Sequence, residues 1–419
     1  HTTGSGKTMT SFKSAQLIAN SKDADKVVFL MDRIELGTQS LHEYRNFAEE
    51  NEDVQATEDT GVLVTKLKSP NPADTLIVTS IQKMSNIQAE EGGLNAHDID
   101  RIRSKRIVFI IDECHRSTFG TMLATIKETF SGAIFFGFTG TPIHDENSRK
   151  LNTTTSVFGN ELHRYSIADG IRDKNVLGFD PYKVMTYKDS DLRHAVALEK
   201  AKAHDLAEVQ ADAGKSEIYY RYLNDITMAG FDDQNGKYVK GIEDYLSKVQ
   251  YERREHQDAV VEDIVTNWDK QSRGGKFHAL FATSSISEAI GYYRLIKEKN
   301  PALKITALFD PKIDNNEGFE YKEEGLVEIL GDYNARYGQN FTIPTHAKFK
   351  KDVAARLAHK APHTRIASDG EMQLDLVIVV DQMLTGFDSK WINTLYLDKL
   401  LQYENIIQAF SRTNRLFGP

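Results

Sequence analysis

His1-Thr2-Thr3-Gly4-Ser5-Gly6-Lys7-Thr8 opens the chain, and its reading decides the fold. Glycines let successive backbone N–H groups turn to one side, a lysine follows within reach of an anion, and a hydroxyl comes next. These are the parts with which a P-loop cradles phosphates and holds Mg²⁺. Gly4, Gly6, Lys7 and Thr8 fill those places, with Thr3 and Ser5 completing the loop; the strict pattern has a glycine where this chain has His1. Downstream, Met9, Phe12, Ala15 and Ala19 recur at helical spacing, so the loop opens onto a helix whose N-terminus favours bound anion. A P-loop is fed by a buried strand, and none precedes His1, so a piece of a longer polypeptide is expected.

With 419 residues the chain has room for two or three domains. Hydrophobic residues make up 40 % and charged residues 27 %, as in an ordinary globular protein, and no apolar run approaches a membrane span. The only cysteine, Cys114, has no internal disulfide partner, which fits a reducing cytoplasm. The net charge of −9 argues against a wholly basic surface, but a local groove can still be positive. Two basic stretches stand out: Arg101, Arg103, Lys105 and Arg106, and Lys348, Lys350, Lys351, Arg356 and Lys360. Each reads either as a solvated flank or as a phosphate contact.

Short apolar runs recur at 27–31, 76–78, 107–111, 134–138, 279–282, 305–309, 376–380 and 395–397. Separated by amphipathic stretches, they read as parallel strands buried on both faces, and the fold class is α/β. Four strands with the P-loop make a first unit ending near Tyr165, and the last four make a second. Between them about 180–268 is charged and strand-poor, with turns such as Asp232-Asp233-Gln234-Asn235-Gly236. A second insertion at about 312–360 is acidic first and basic later.

The run 107–111 ends in Asp112-Glu113-Cys114-His115, which places two carboxylates at the carboxyl end of a buried strand, where α/β sheets bind ligands. Beside a P-loop, Asp112 would hold Mg²⁺ with Thr8, and Glu113 would orient the attacking water. His115 reads as a coupling residue, and Cys114 as a small buried one. The run 134–138 ends in Thr139-Gly140-Thr141-Pro142, whose hydroxyls can relay hydrogen bonds from a nucleotide site to a neighbouring lobe. Near the end of the chain lies Gln408-Ala409-Phe410-Ser411-Arg412-Thr413-Asn414-Arg415. Arg412 and Arg415 are expected on one face of a helix, as arginines that stabilise charge on a γ-phosphate.

Together with Asp32-Arg33, Leu36 and Gln39, Thr79-Ser80-Ile81-Gln82-Lys83, Gly137 to Ile143, and Thr385-Gly386-Phe387-Asp388, these segments resemble the ordered motifs of superfamily 2 helicases. More narrowly, Asp112 to Ser117, Gly137 to Ile143 and Gln408 to Arg415 resemble the restriction (R) subunit of type I restriction-modification enzymes. The resemblance spans nearly the whole chain. It implies two tandem RecA-like domains, 1–165 and 166–419, the second carrying the mainly helical insertion, which use ATP and Mg²⁺ to translocate on double-stranded DNA. It also implies modification (M) and specificity (S) subunits as partners and a cytoplasmic location. Lys7, Glu113, Arg412 and Arg415 would be catalytic, with Gly386, Asp388 and Gln408 joining the P-loop and Asp112 around the nucleotide. Asp32, Arg33, Thr79, Gln82, His115, Thr139, Thr141 and Thr385 would contact DNA or couple the domains. The family's N-terminal nuclease domain and C-terminal helical region are not recognisable in this sequence.

Two other readings stand beside the translocase: a strand-separating helicase or nucleic-acid remodeller of the same superfamily, and a clamp in which ATP only switches conformation. A pure clamp needs no water-orienting glutamate, so Glu113 speaks against it.

Overall fold

The computed structural model describes residues 1–2, 4–31, 55–56, 60–87, 96–112, 114, 119–142, 154–233, 237–245, 254–310, 319–380, 382–384, 387–401 and 404–417. All eight expected strands are present: β1 Lys26–Met31, β3 Leu76–Ser80, β4 Ile107–Ile111, β5 Ile134–Gly137, β8 His278–Thr283, β9 Ile305–Leu308, β10 Leu376–Val379 and β11 Ile392–Asp398. The strands β2 Gln55–Ala56, β6 Phe231–Asp232 and β7 Tyr238–Val239 are additional. Two parallel sheets result, ordered β2-β3-β1-β4-β5 and β11-β8-β10-β9, together with the antiparallel pair β6-β7.

The first sheet alternates side chains between two cores, as a parallel sheet covered on both faces must. Val28, Leu30, Ile77, Phe109 and Ile111 face Leu63, Leu67, Ile102, Leu123 and Ile126. Val27, Phe29, Val78, Val108 and Ile110 face Phe12 and Ala15 of helix α1, Lys7–Ser21. Met9, from the same helical periodicity, is 54 % exposed and lies outside that core. β5 is the edge strand and its burial is only partial.

The fold divides into two compact units. One comprises His1–Phe179, Met383–Lys390 and Leu400–Pro419, and the other Asp180–Gln382 and Trp391–Lys399. By packing, the closing arginine motif falls in the unit of the P-loop. The boundaries 1–165 and 166–419 follow the order of motifs along the chain rather than this partition.

In the second unit, β8 and β10 are wholly buried. Helices Asp189–Ala201, Leu206–Ala211 and Ala213–Asn224 fill the first expected insertion, while Phe319–Tyr337 and His346–Leu357 lie in the second. One member of the basic run 348–360 is neither solvated nor available to phosphate: Arg356 is fully buried. Its guanidinium lies over the Tyr337 ring at 3.8 Å and donates to the Tyr333 hydroxyl at 3.0 Å and to the Met372 carbonyl at 2.6 Å. A buried cation requires this satisfaction, and it ties the second insertion to the 370–372 turn.

Candidate nucleotide site

Gly4 and Gly6 both have φ of +85°, a left-handed conformation that glycine adopts without steric cost. Gly6 is the N-cap of α1, so the loop delivers its amides to a helix N-terminus with the partial positive charge found there. The loop is braced from within: the Ser5 amide and hydroxyl donate to the Thr2 carbonyl at 3.3 and 2.7 Å, and the Thr2 amide to the Tyr165 carbonyl at 2.9 Å. Lys7, 7 % exposed, projects from the first turn and meets Asp112 at the end of β4, Nζ to Oδ1 3.4 Å. Two segments distant in sequence thus bring an ammonium and a carboxylate to the carboxyl edge of one sheet.

Beyond β4, the Cys114 amide donates to the Phe138 carbonyl at 3.1 Å. A side chain at Gly137 would fall 2.8 Å from the Cys114 Sγ, so the absence of Cβ there permits the close approach of the two strand ends. The buried Cys114 is structural, as expected. Thr141 is 3 % exposed; its amide donates to the Thr139 hydroxyl at 3.0 Å, and its own hydroxyl accepts from the Gln408 amide at 3.1 Å. The Thr-Gly-Thr turn and the closing motif are thereby linked.

The closing arginines are not on a helix face. The helix Glu404–Phe410 ends before them as its bonding tightens to i+3, the Arg412 amide donating to the Ala409 carbonyl at 3.0 Å and the Thr413 amide to that of Phe410 at 3.1 Å, while the Ser411 hydroxyl, Arg412 Nε and Thr413 hydroxyl add bonds to the carbonyls of Ile407, Gln408 and Phe410 at 2.6, 3.0 and 3.1 Å. Arg412, 6 % exposed, also donates to the Phe387 carbonyl. Arg415 donates to Asp388 at 2.5 Å, to the Asn414 side chain at 2.6 Å and to the Ser411 carbonyl at 3.2 Å. It reaches the P-loop: a Cβ at Gly4 would stand 2.8 Å from the Arg415 Cζ. Gly4, Lys7, Asp112, Asp388, Gln408, Arg412 and Arg415 therefore share one unit, with Arg415 against the loop. Asn414 was not singled out from sequence. It is fully buried, accepts from Arg415, and receives the Leu177 amide on its carbonyl at 2.8 Å; the signal available was an amide placed between two arginines.

Thr79 is 3 % exposed within β3, which among its two expected roles suits coupling better than surface contact with DNA. Gln82 is partly exposed in the helix Ile81–Ser85. Thr3, Asp32, Arg33, Glu113, His115, Thr385 and Gly386, and the side chain of Thr8, lie outside the described residues.

The residues suit a polyphosphate with a divalent cation. The side-chain nitrogen of Asn414 and the hydroxyl of Thr2 are buried with no hydrogen-bond partner among the described residues. A Cβ at Gly6 would meet only the Met9 Cε at 3.8 Å, so the loop is open there, and Asp112 offers the oxygen donor that Mg²⁺ prefers.

Comparison with known proteins agrees with this geometry. Residues 1–214 match the family model SWI2/SNF2 ATPase, and residues 275–419 match the model of Type I restriction enzyme subunit R domain 3. The type I restriction enzyme SauMSSORF170P endonuclease subunit of Staphylococcus aureus (strain MSSA476) is 36 % identical over 99 % of this chain and 40 % of its own length. The SsaAORF53P subunit of Staphylococcus saprophyticus is 35 % identical at the same coverage. A putative type I subunit of Methanocaldococcus jannaschii, MjaIXP, is 26 % identical over 100 % of this chain and 34 % of its own. The chain thus spans about two fifths of the length of the two staphylococcal relatives. Among solved structures, the Pyrococcus furiosus Hef helicase domain aligns with a TM-score of 0.45 at 13 % identity, over 99 % of this chain and 89 % of that one. The architecture is that of two tandem RecA-like, P-loop NTPase domains with a mainly helical insertion. The chain thus belongs to the SWI2/SNF2 ATPase family, and along 99 % of its length it is similar to the endonuclease subunits of type I restriction enzymes.

Proposed function

We propose that this chain is the ATP-hydrolysing motor of a type I restriction endonuclease and translocates on double-stranded DNA in support of cleavage of unmodified foreign DNA. The observation that carries the reading is the meeting of Lys7 with Asp112 at one end of the sheet, with Arg415 lying against the loop that presents Lys7.

In this reading the amides of residues 4–8 and the Lys7 ammonium hold the β- and γ-phosphates, and Thr8 and Asp112 hold the metal. Mg²⁺ held by these two residues would supply charge neutralisation at the phosphates. Asp112, paired with Lys7 at 3.4 Å, would be the carboxylate that holds the metal, and the Lys7 ammonium the cation that faces the phosphates. Glu113 orients the attacking water and accepts its proton. Arg415 stabilises the charge spreading over the equatorial oxygens of the transferred group, a contribution worth roughly 10³ to 10⁵ in rate for such arginines. Arg412 holds the Phe387 carbonyl, and Gln408 holds Thr141, so the segments that read the nucleotide are tied together. Gly386 and Asp388 complete the nucleotide side. Asp32, Arg33, Thr79, Gln82, His115, Thr139, Thr141 and Thr385 pass the state of the nucleotide to the DNA track, the domains being 1–165 and 166–419 along the chain.

The partners are duplex DNA and the M and S subunits of the same complex, the S subunit choosing the site. The setting is the cytoplasm; among the described residues no helix is long and apolar enough to cross a membrane. Phosphate release stimulated by duplex DNA, with displacement of a triplex strand and no opening of the duplex, tests the proposal. Duplex opening would transfer the chain to the strand-separating helicases, and phosphate release indifferent to DNA would end the motor reading.

A further inference from the structure

The amino end of the first sheet, opposite the edge where Lys7 meets Asp112, carries a concentration of cations with no place in the mechanism above. The strands β1, β3 and β4 begin there, and Lys22, Lys26, Lys68, Arg101, Lys105 and Arg106 line a cavity of 860 Å³ between their starts and the ends of the neighbouring helices. This size is usual for a small-molecule site. Two of the six are paired, Arg106 with Asp25 at 2.9 Å and Lys68 with Asp98 at 3.0 Å. No carboxylate among the described residues lies within ion-pair distance of the other four.

Helix dipoles explain part of this. α1 and the helices Thr60–Lys68 and Ala96–Arg103 all end here, and carbonyl ends attract cations. Lys105 donates to the Leu67 and Ser69 carbonyls at 2.6 and 3.1 Å, and Lys26 to the Asp74 carbonyl at 2.6 Å. Lys22, at the C-cap of α1, and Arg101, in the last turn of the helix Ala96–Arg103, belong to this arrangement too, but neither is tied down by it. Both are exposed at the rim, and their side chains make no hydrogen bond among the described residues. Nor does it discharge the floor. Lys26 is 1 % exposed, and its pKa is pushed down to about 8, first by burial and then by the neighbouring Lys105. Lys105 is lowered by burial and then by Arg101. Both Lys26 and Lys105 belong to the cavity lining, where burial reduces the screening of their charge. Between the cations the lining is mixed, apolar at Ala19, Ala24, Pro72 and Leu76 and polar at Asn20 and Asn71.

We propose that this cavity is a second anion site of the first unit, one that takes a small polyphosphorylated molecule and is separate from the P-loop. Lys22 and Arg101 close on the anion from the rim, Lys105 offers its remaining ammonium proton, and buried Lys26 contributes field rather than contact. A concave cavity of this size fits a compact ligand better than the convex backbone of a duplex.

The test is calorimetric titration of inorganic tripolyphosphate into the full chain carrying Lys7→Ala, which removes the P-loop lysine. Saturable binding should persist in that variant, weaken about tenfold or more on adding either Arg101→Glu or Lys22→Glu, and leave the melting temperature of those exposed variants unchanged. ATP that competes with tripolyphosphate better than tripolyphosphate competes with itself would identify a nucleotide as the natural form and support the site. Absence of saturable binding in Lys7→Ala overturns the proposal, as does binding indifferent to both charge reversals. A duplex that displaces tripolyphosphate at a lower phosphate concentration than tripolyphosphate itself also overturns it, in favour of a nucleic-acid track.

Discussion

Replacing Gly4 by alanine separates the backbone role of the P-loop glycine from its role as the seat of Arg415. The φ of +85° costs a residue with a Cβ about 1–2 kcal/mol. The new methyl would also stand 2.8 Å from the Arg415 Cζ, inside the ~3.5–4.0 Å of an ordinary carbon contact. The guanidinium must therefore swing away, loosening its bonds to Asp388, Asn414 and Ser411. Charge-assisted bonds of this kind are worth about 1.5–3 kcal/mol when desolvated. Asp388 is 54 % exposed, so solvent screening reduces that to about 1 kcal/mol. The expected total is about 2–3 kcal/mol, or a fall in melting temperature of roughly 4–10 °C for a unit of this size. Thermal denaturation of Gly4→Ala, Arg415→Ala and the double variant apportions the two parts. Once Arg415 is gone the methyl has nothing to strike, so Gly4→Ala should then cost only the backbone part and the cycle should miss additivity by about 1 kcal/mol. DNA-stimulated phosphate release should fall in Gly4→Ala by orders of magnitude. Additive stabilities, or normal turnover in Gly4→Ala, would refute the claim that Arg415 is seated on the loop.

Buried strands were the most legible part of this fold, because a parallel strand covered on both faces must be apolar at consecutive positions; β1, β4 and β10 declare themselves in this way. β2 and the strands β6 and β7 are two residues long and carry no such run; nothing in the sequence marked β2, and only the turn-like Asp232-Asp233-Gln234-Asn235-Gly236 pointed to the β6-β7 pair. Periodicity placed Met9 with Phe12 and Ala15, yet it is exposed: spacing identifies a helix face but not how far round the helix the core extends. Composition misled at Arg356. A basic run signals a solvated surface, and nothing local reveals that Tyr333 and Tyr337, some twenty residues earlier, would enclose one member of it. The P-loop and the acid at Asp112 were legible because their chemistry is local. The course of the closing arginines was not, since it depends on how the last carbonyls of the helix Glu404–Phe410 are bonded.

Lys7→Ala should abolish ATP hydrolysis and, by leaving Asp112 without its cation, lower thermal stability. Adding Asp112→Asn should recover part of the stability and none of the turnover, and recovery of turnover would remove Lys7 from the chemistry. Glu113→Gln should bind nucleotide with little change while hydrolysis is lost; near-normal single-turnover rates would end its assignment to the water. Binding to unrelated duplexes should fall steeply and alike with salt, roughly 0.9 log units per log salt for each phosphate neutralised, and a strong preference for one sequence would contradict a backbone track. The second unit should also be acid-sensitive through His278 and His359, which meet Nε2 to Nε2 at 2.8 Å. Burial first, then His359, pushes His278 down to about 3, and burial pushes His359 down to about 4. Both are near 6.5 in the unfolded chain, so between about 4 and 6.5 the unfolded state binds more protons and stability rises with pH. It should therefore decline as the pH falls below about 6.5. His359→Asn keeps a residue that tolerates the φ of +50° at this position and removes one titration. Its stability should then fall less steeply with acid in denaturant titrations, and an unchanged slope from pH 6.5 to 4 would show that this pair does not carry the acid response.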